Sequence, residues 1–220
     1  MTATRHPSVV LCEHALVEHN LGIIRHKDTP VENFRLAMAR LGTLLVQEAT
    51  RDLPLHPTTV ETPLGQTPVN SLSSQIPIIL TPILRAGLVL SDQALSLLPQ
   101  ASVYHIGLYR DEETLKPVTY YNKLPKEIDY ANARVFILDP MLATGGSAIA
   151  AVEILKDMGV QEENLRLLCI IAAPEGIEAV SAQFPGIKVY TAAVDERLNE
   201  NGFIVPGLGD AGDRTFGTMD

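Results

Sequence analysis

The sequence predicts an α/β fold: a mostly parallel sheet flanked by helices. Short apolar runs rich in Ile and Val recur along it: "IPIILTPIL", "SVYHIGLY", "RVFILD", "LRLLCIIAA" and "IKVYTAAV". Between several of them stand helix-patterned segments, "AGLVLSDQALSLL", "SAIAAVEILKDMG" and "EGIEAVSAQF". Strand, helix, strand in repetition argues for a parallel sheet covered on both faces. In such sheets ligands bind beyond the carboxyl ends of the strands. The loops to read for function are therefore "PILRAG", "YRDEETLKPVTYYNKLP", "DPMLATGGS" and the segment after "AAVDERLNE".

The elements follow in chain order. "MTATRHPSVVLCEHALVEHN" has no signal-type apolar stretch, and no segment approaches the roughly 20 apolar residues of a membrane span. The expectation is a cytoplasmic protein with no membrane partner. In "ENFRLAMARLGTLLVQEA", Phe34, Met38, Leu41 and Leu45 recur at helical spacing, so this helix covers a core. "TTVETPLGQTPVNSL" alternates around "PLGQ" and reads as a hairpin or projecting arm near 57–72, with a loose surface loop as the alternative. With 220 residues, 46% of them apolar, the chain suits a single domain over 1–220. A formal net charge of −9 weighs against a general nucleic-acid partner. Cys12 and Cys169 form no C-x-x-C pair and read as reduced, buried thiols. The histidines (His6, His14, His19, His26, His56, His105) show no H-E-x-x-H pattern, no protein metal ligands are assigned, and no G-x-S-x-G elbow occurs.

"RVFILDPMLATGGSAIAAVEILKDMG" joins a strand to a helix through "LATGG". Gly145 and Gly146 allow close backbone approach and positive φ. Thr144 and Ser147 add hydroxyl donors. The helix start adds free N–H groups and about half a unit of positive charge. Together these hold a terminal phosphate without the lysine of a P-loop. On the glycines alone, an ordinary strand-to-helix turn reads equally well. Asp139, at the strand end, can accept hydrogen bonds from two vicinal hydroxyls. The combination fits a ribose carrying a 5′-phosphate.

This stretch resembles the phosphoribosyl pyrophosphate motif of the type I phosphoribosyltransferases. Most of that family carries two adjacent acidic residues at the strand end. Here the second is Pro140, as in the uracil phosphoribosyltransferase branch, which reads D-P-M-L-A-T-G-G-S. "PILRAGL", "DPMLATGGS", "AAPEGI" and "PGLGDAGDRTFGT" occur in that order, and the likeness runs from "EHALVEHNLGIIRHKDT" to the last residues. The resemblance implies a phosphoribosyltransferase fold with a small hood region and a β-arm. It implies transfer of ribose 5-phosphate from phosphoribosyl pyrophosphate to uracil, giving UMP and pyrophosphate.

Site residues follow by the same resemblance. Arg85, Arg110, Asp139, Pro140, Met141, Leu142, Ala143, Thr144, Gly145, Gly146, Ser147 and Asp210 would bind phosphoribosyl pyrophosphate. Asp139, Arg110 and Asp210 would act in catalysis. A cis peptide is expected at Arg85–Ala86, presenting N–H groups to pyrophosphate; without the family pattern, Arg85 is a surface arginine at a strand end. The long polar stretch near 109–126 reads as a lid that excludes water, and Glu112 and Glu113 are given no chemistry. The segment near 199–220 would recognise uracil through Ile204, Gly209, Asp210 and Ala211, where the bland reading is a floppy tail. Uracil presents an acceptor–donor–acceptor edge that a glycine-rich backbone can match, and cytosine would leave groups unpaired. Mg²⁺ would be bound mainly through the pyrophosphate. GTP enters as a candidate effector, and a homo-oligomer, dimer or tetramer, is expected.

Two other functions compete. One is a regulator with this fold that binds a pyrimidine nucleotide and RNA, against which the acidic balance argues. The other is a dinucleotide-dependent oxidoreductase, but "LGDAGDRTFG" does not follow a strand as G-x-G-x-x-G must.

Overall fold

The apolar runs form the middle layer of the molecule, for which a computed structural model describes residues 6–110 and 117–218. The chain opens with β1 (Val9–Leu11), α1 (Ala15–Arg25) and α2 (Val31–Ala49). A hairpin follows, of β2 (Leu55–Thr62) and β3 (Gly65–Leu72). Next come β4 (Ile78–Leu84), α3 (Leu88–Leu97), β5 (Ser102–Val103), β6 (Ile106–Arg110) and β7 (Pro117–Asn122). The remainder runs β8 (Arg134–Leu138), β9 (Met141–Leu142), α4 (Gly146–Asp157), β10 (Leu165–Ala172), α5 (Pro174–Gln183), β11 (Lys188–Val194), β12 (Arg197–Leu198), β13 (Ile204–Val205) and α6 (Ala211–Phe216).

The main sheet has the order β1-β11-β10-β8-β4-β6-β7. Its pairs are parallel except β6 with β7. Successive residues of a strand point to opposite faces, so each strand feeds two cores. Leu80, Phe136, Leu138 and Leu168 face α1, α2 and α3, against Phe34, Met38, Leu41 and Leu90. Ile79, Val135, Ile137 and Leu167 face α4 and α5, against Val152, Leu155 and Val180. Burial on both faces is why these strands read as unbroken apolar runs.

Several elements differ from the sequence reading. "SVYHIGLY" is two strands: Ser102–Val103 pairs with the start of β4 and Ile106 with its end. Helix α1 went unread, because buried Asn20 interrupts its apolar stripe of Val17, Leu21 and Ile24. His14 caps it, its ring accepting the Leu16 N–H. Within the polar stretch near 109–126, Pro117–Asn122 is strand β7, while Glu112 and Glu113 lie outside the described residues. Among the described residues no helix is long and apolar enough to cross a membrane.

Phe34 has no exposed surface and lies under the Arg214 guanidinium, 4.4 Å from the ring centroid. Phe34→Ala should cost about 3–5 kcal/mol of stability, read as a fall in the urea midpoint at unchanged slope.

Candidate active site

Parallel strands place their following loops at one edge, and β8 and β4 are neighbours there. After β8 the chain sidesteps and re-enters the sheet. Asp139 N–H donates to Leu168 O, and Pro140 O accepts from Ile170 and Ile171. Met141 and Leu142 then pair with Ile171 and Ala172. Only the carbonyl of residue 140 is bonded, so a proline, which has no N–H, is well suited there.

The next turn is shaped by close backbone approach. Gly145 has φ 85° and precedes α4, whose N-terminus has no side-chain cap. Helix α5 presses on the turn from behind: a Cβ on Gly176 would lie 2.3 Å from Ala143 O. That contact explains the glycine of "APEGI". On the other side the turn is open, with no atom nearer than 3.8 Å to a Cβ built on Gly146. Asp139 and residues 141–148 line a cavity of about 70 Å³, with Leu167 at its back. Uncapped N–H groups and a small cavity suit one tetrahedral anion.

Asp139 is partly exposed at this cavity. Burial pushes its carboxyl up to about 7, and the Met141 N–H, donating at 3.3 Å, works in the opposite direction. Beside it, burial pushes the Cys169 thiol up to about 12, and the Asp139 charge adds to the rise.

The turn after β4 has its cis peptide at Leu84–Arg85, one bond before the expected Arg85–Ala86. Arg85 O accepts the Leu88 N–H and Ala86 O accepts from Val89, so residues 85–87 form the tight turn that leads into α3. Gly87 is obligatory, since a Cβ would meet Leu138 O at 2.2 Å. Arg85 is well exposed and donates to Asp213 Oδ1 at 3.3 Å, with its guanidinium 5.8 Å from the Phe216 ring centroid. Arg110 ends β6, and its side chain lies outside the described residues.

The glycine-rich C-terminal segment is ordered structure. Strands β12 and β13 form a small hairpin, Val205–Pro206 is cis, and Gly207 and Gly209 have φ 58° and 82°. Asp210 then caps α6, its Oδ1 accepting the Asp213 N–H at 2.8 Å. Ile204, Leu208 and Ala211 are buried with Met141 and Ala143 packed on the same cluster, whereas Gly209 and Asp210 are exposed. A Cβ on Gly212 would come within 4.0 Å of Ala86, so α6 borders the Arg85 turn. Ile204, Gly209, Asp210 and Ala211 do not line the small cavity; the neighbouring Gly212 and Asp213 approach the Arg85 turn. Among the described residues no group of three His, Cys, Asp or Glu side chains could hold a metal.

Four residues escaped the sequence reading: Arg25, Asp195, Asp213 and Arg214. Asp195 stands at the end of an apolar strand, the same signal that identified Asp139. Arg25 lies in "LGIIRHK", within the stretch that carries the family resemblance. Asp213 and Arg214 lie in "PGLGDAGDRTFGT", another stretch of that resemblance.

Known proteins resemble this chain over almost its whole length. The family model for uracil phosphoribosyltransferase matches residues 10–218. The uracil phosphoribosyltransferase of Lactococcus lactis subsp. cremoris (strain MG1363) is 51% identical over 206 residues, covering 94% of this chain and 96% of its own. That of Dictyoglomus turgidum is 52% identical over 210 residues, covering 96% and 99%. The AQ2163 protein from Aquifex aeolicus superposes with a TM-score of 0.87 at 38% identity, covering 94% of this chain and 97% of that one. A purine phosphoribosyltransferase from Pyrococcus horikoshii, at 16% identity and TM-score 0.51 over 74% of this chain and 85% of its own, shares the fold.

Asp139 makes stability depend on pH with a definite sign. An unfolded aspartate ionises near pH 4, whereas the folded one keeps its proton to about pH 7. The folded state holds the extra proton between these values, so stability falls as pH rises through the window. Asp139→Asn should therefore gain on the parent from about pH 4 upward, by at most about 4 kcal/mol above pH 7. Urea unfolding at several pH values reads this, and a gap that does not widen with pH refutes it.

Proposed function

The chain belongs to the uracil phosphoribosyltransferase family, and from that premise we propose how its residues divide the work. The reaction moves ribose 5-phosphate from phosphoribosyl pyrophosphate to uracil and yields UMP and pyrophosphate. The carrying observation is the open, uncapped turn before α4 with a carboxylate of raised pKa beside it. The 5′-phosphate sits on the main-chain N–H groups of 143–147, assisted by Thr144 and Ser147. Asp139 accepts the ribose hydroxyls, and Pro140, Met141 and Leu142 carry the chain between the two contacts. Arg85 and Arg110 hold the diphosphate and stabilise it as it leaves. Donor binding frees Arg85 from Asp213, an exposed pairing that is cheap to break.

As pyrophosphate departs, C1′ becomes oxocarbenium-like, and the Asp139 carboxylate lies on the ribose where that charge develops. Uracil stacks beyond the sugar, with its polar edge read by the backbone of Gly209 and Ala211 and its face against Ile204. Asp210 adjoins both donor and base and positions them. The residues also suit Mg²⁺. Asp139 is a lone strand-end carboxylate with Pro140 next to it, which fits an ion carried mainly by substrate oxygens and water. When bound, Mg²⁺ neutralises charge on the diphosphate.

We extend the proposal to assembly and regulation. The β2–β3 arm exposes Leu55, Val60 and the fully exposed Leu64, and serves as a contact in a homo-oligomer, dimer or tetramer. GTP acts as an effector, and the enzyme works in the cytoplasm.

Purified protein with uracil, phosphoribosyl pyrophosphate and Mg²⁺ should form UMP, while cytosine should give no product. Asp139→Asn should lower turnover about 10- to 100-fold, the scale of losing one hydrogen bond to a charged group. Crystals soaked with UMP should show the phosphate on 143–147; a nucleotide bound elsewhere defeats the assignment.

A further inference from the structure

The backbone proposed to read uracil is held in an unusual way. Three successive peptide groups before it are gripped by side chains. Gly207 N–H donates to Asp195 Oδ2 at 2.8 Å. Gly207 O accepts from Arg25 Nη1 at 3.0 Å. Leu208 O accepts from Arg214 Nη1 at 2.6 Å. The next peptide groups, at Gly209 to Ala211, are those assigned to the base. Gly207 and Gly209 both take positive φ, which glycine permits but does not impose.

The grips share one platform, the last turn of α1. Arg25 on that turn forks both oxygens of Asp195, at 2.6 and 2.8 Å. Arg214 reaches from the other side to Ile24 O at 2.6 Å and His26 O at 2.7 Å. The Asp195 side chain is only 5% exposed, and the guanidinium fork pairs with both of its oxygens. Arg214 is buried, with its donors spread over three carbonyls and its plane over Phe34. The network fixes peptide planes, and it touches neither the phosphate cavity nor Arg85.

We propose that Arg25 and Asp195 are positioning residues for base recognition: through Gly207 they set where the Gly209–Ala211 amides stand, and so set affinity for uracil over cytosine. This rests on the assignment of those amides to the base. Sequence places Arg25 far from the base segment, and only the fold brings the two together.

The test is steady-state kinetics of Asp195→Asn and Arg25→Lys with Mg²⁺, uracil or cytosine, and phosphoribosyl pyrophosphate. Asparagine cannot accept from Arg25 on both atoms, and lysine cannot hold Asp195 and Gly207 O together as the fork does. Asp195→Asn should raise KM for uracil about 10- to 100-fold, the cost of misplacing a binding group by a fraction of an ångström to one ångström. Its KM for the donor and its kcat should stay within about threefold. Arg25→Lys should fall between it and the parent, and the preference for uracil over cytosine should shrink in both. Should Asp195→Asn not fold, Arg25→Lys alone decides. An unchanged KM for uracil in a folded variant overturns the inference, and so does a parallel rise in both KM values, which marks general loosening. A parent enzyme that uses cytosine as well as uracil removes the base assignment, and this inference with it. A parent that discriminates, with variants that discriminate just as well and keep its KM for uracil, removes the inference alone.

Discussion

Close contact between backbone and backbone at the carboxyl edge of the sheet is the constraint on which the site depends. Gly87 lets the turn after β4 lie on Leu138 O, and Gly176 lets α5 lie on Ala143 O. Neither position has room for a Cβ. These contacts bring the Arg85 turn and the phosphate turn onto neighbouring strands, and they brace the phosphate turn from behind while its other side stays open. Rigidity there has a chemical value, because main-chain amides bind an anion well only when already aimed.

Two strand-end aspartates show how one residue type serves opposite ends. Asp195, at the end of β11, is met by an arginine fork and a backbone N–H, and its acceptors are filled. Asp139, at the end of β8, has one long hydrogen bond and no paired cation among the described residues, and burial pushes its carboxyl up to about 7. The first is spent on structure. The second keeps lone pairs free, which is what the proposed contact with the ribose hydroxyls requires.

Much of this was legible in the sequence, and what was not has identifiable causes. The α/β layering follows from strands buried on both faces, and the runs announced it. The turn leading into α4, proposed to hold phosphate, was legible as a turn because strand, Asp, T-G-G-S and helix form one local unit. Helix α1 was hidden by a buried asparagine in its apolar stripe, and α6 by its six residues and its glycines. The cis bond was placed one residue late, because the sequence does not tell where strand ends and helical turn begins. Asp195 and Arg25 were overlooked because their meaning lies in a pairing across 170 positions of chain, which no local pattern carries.

The sulfur behind the phosphate turn adds a last consequence. Cys169 has no exposed surface and lies by Asp139 and Leu142, with its thiol held up to about 12. Cys12, the other cysteine, is buried as well. Alkylating reagents and peroxide meet no ready thiolate while the sheet is closed. Thiol oxidation of this chain is thereby tied to opening of the layer itself, and its two cysteines meet an oxidant only in molecules that have already come apart.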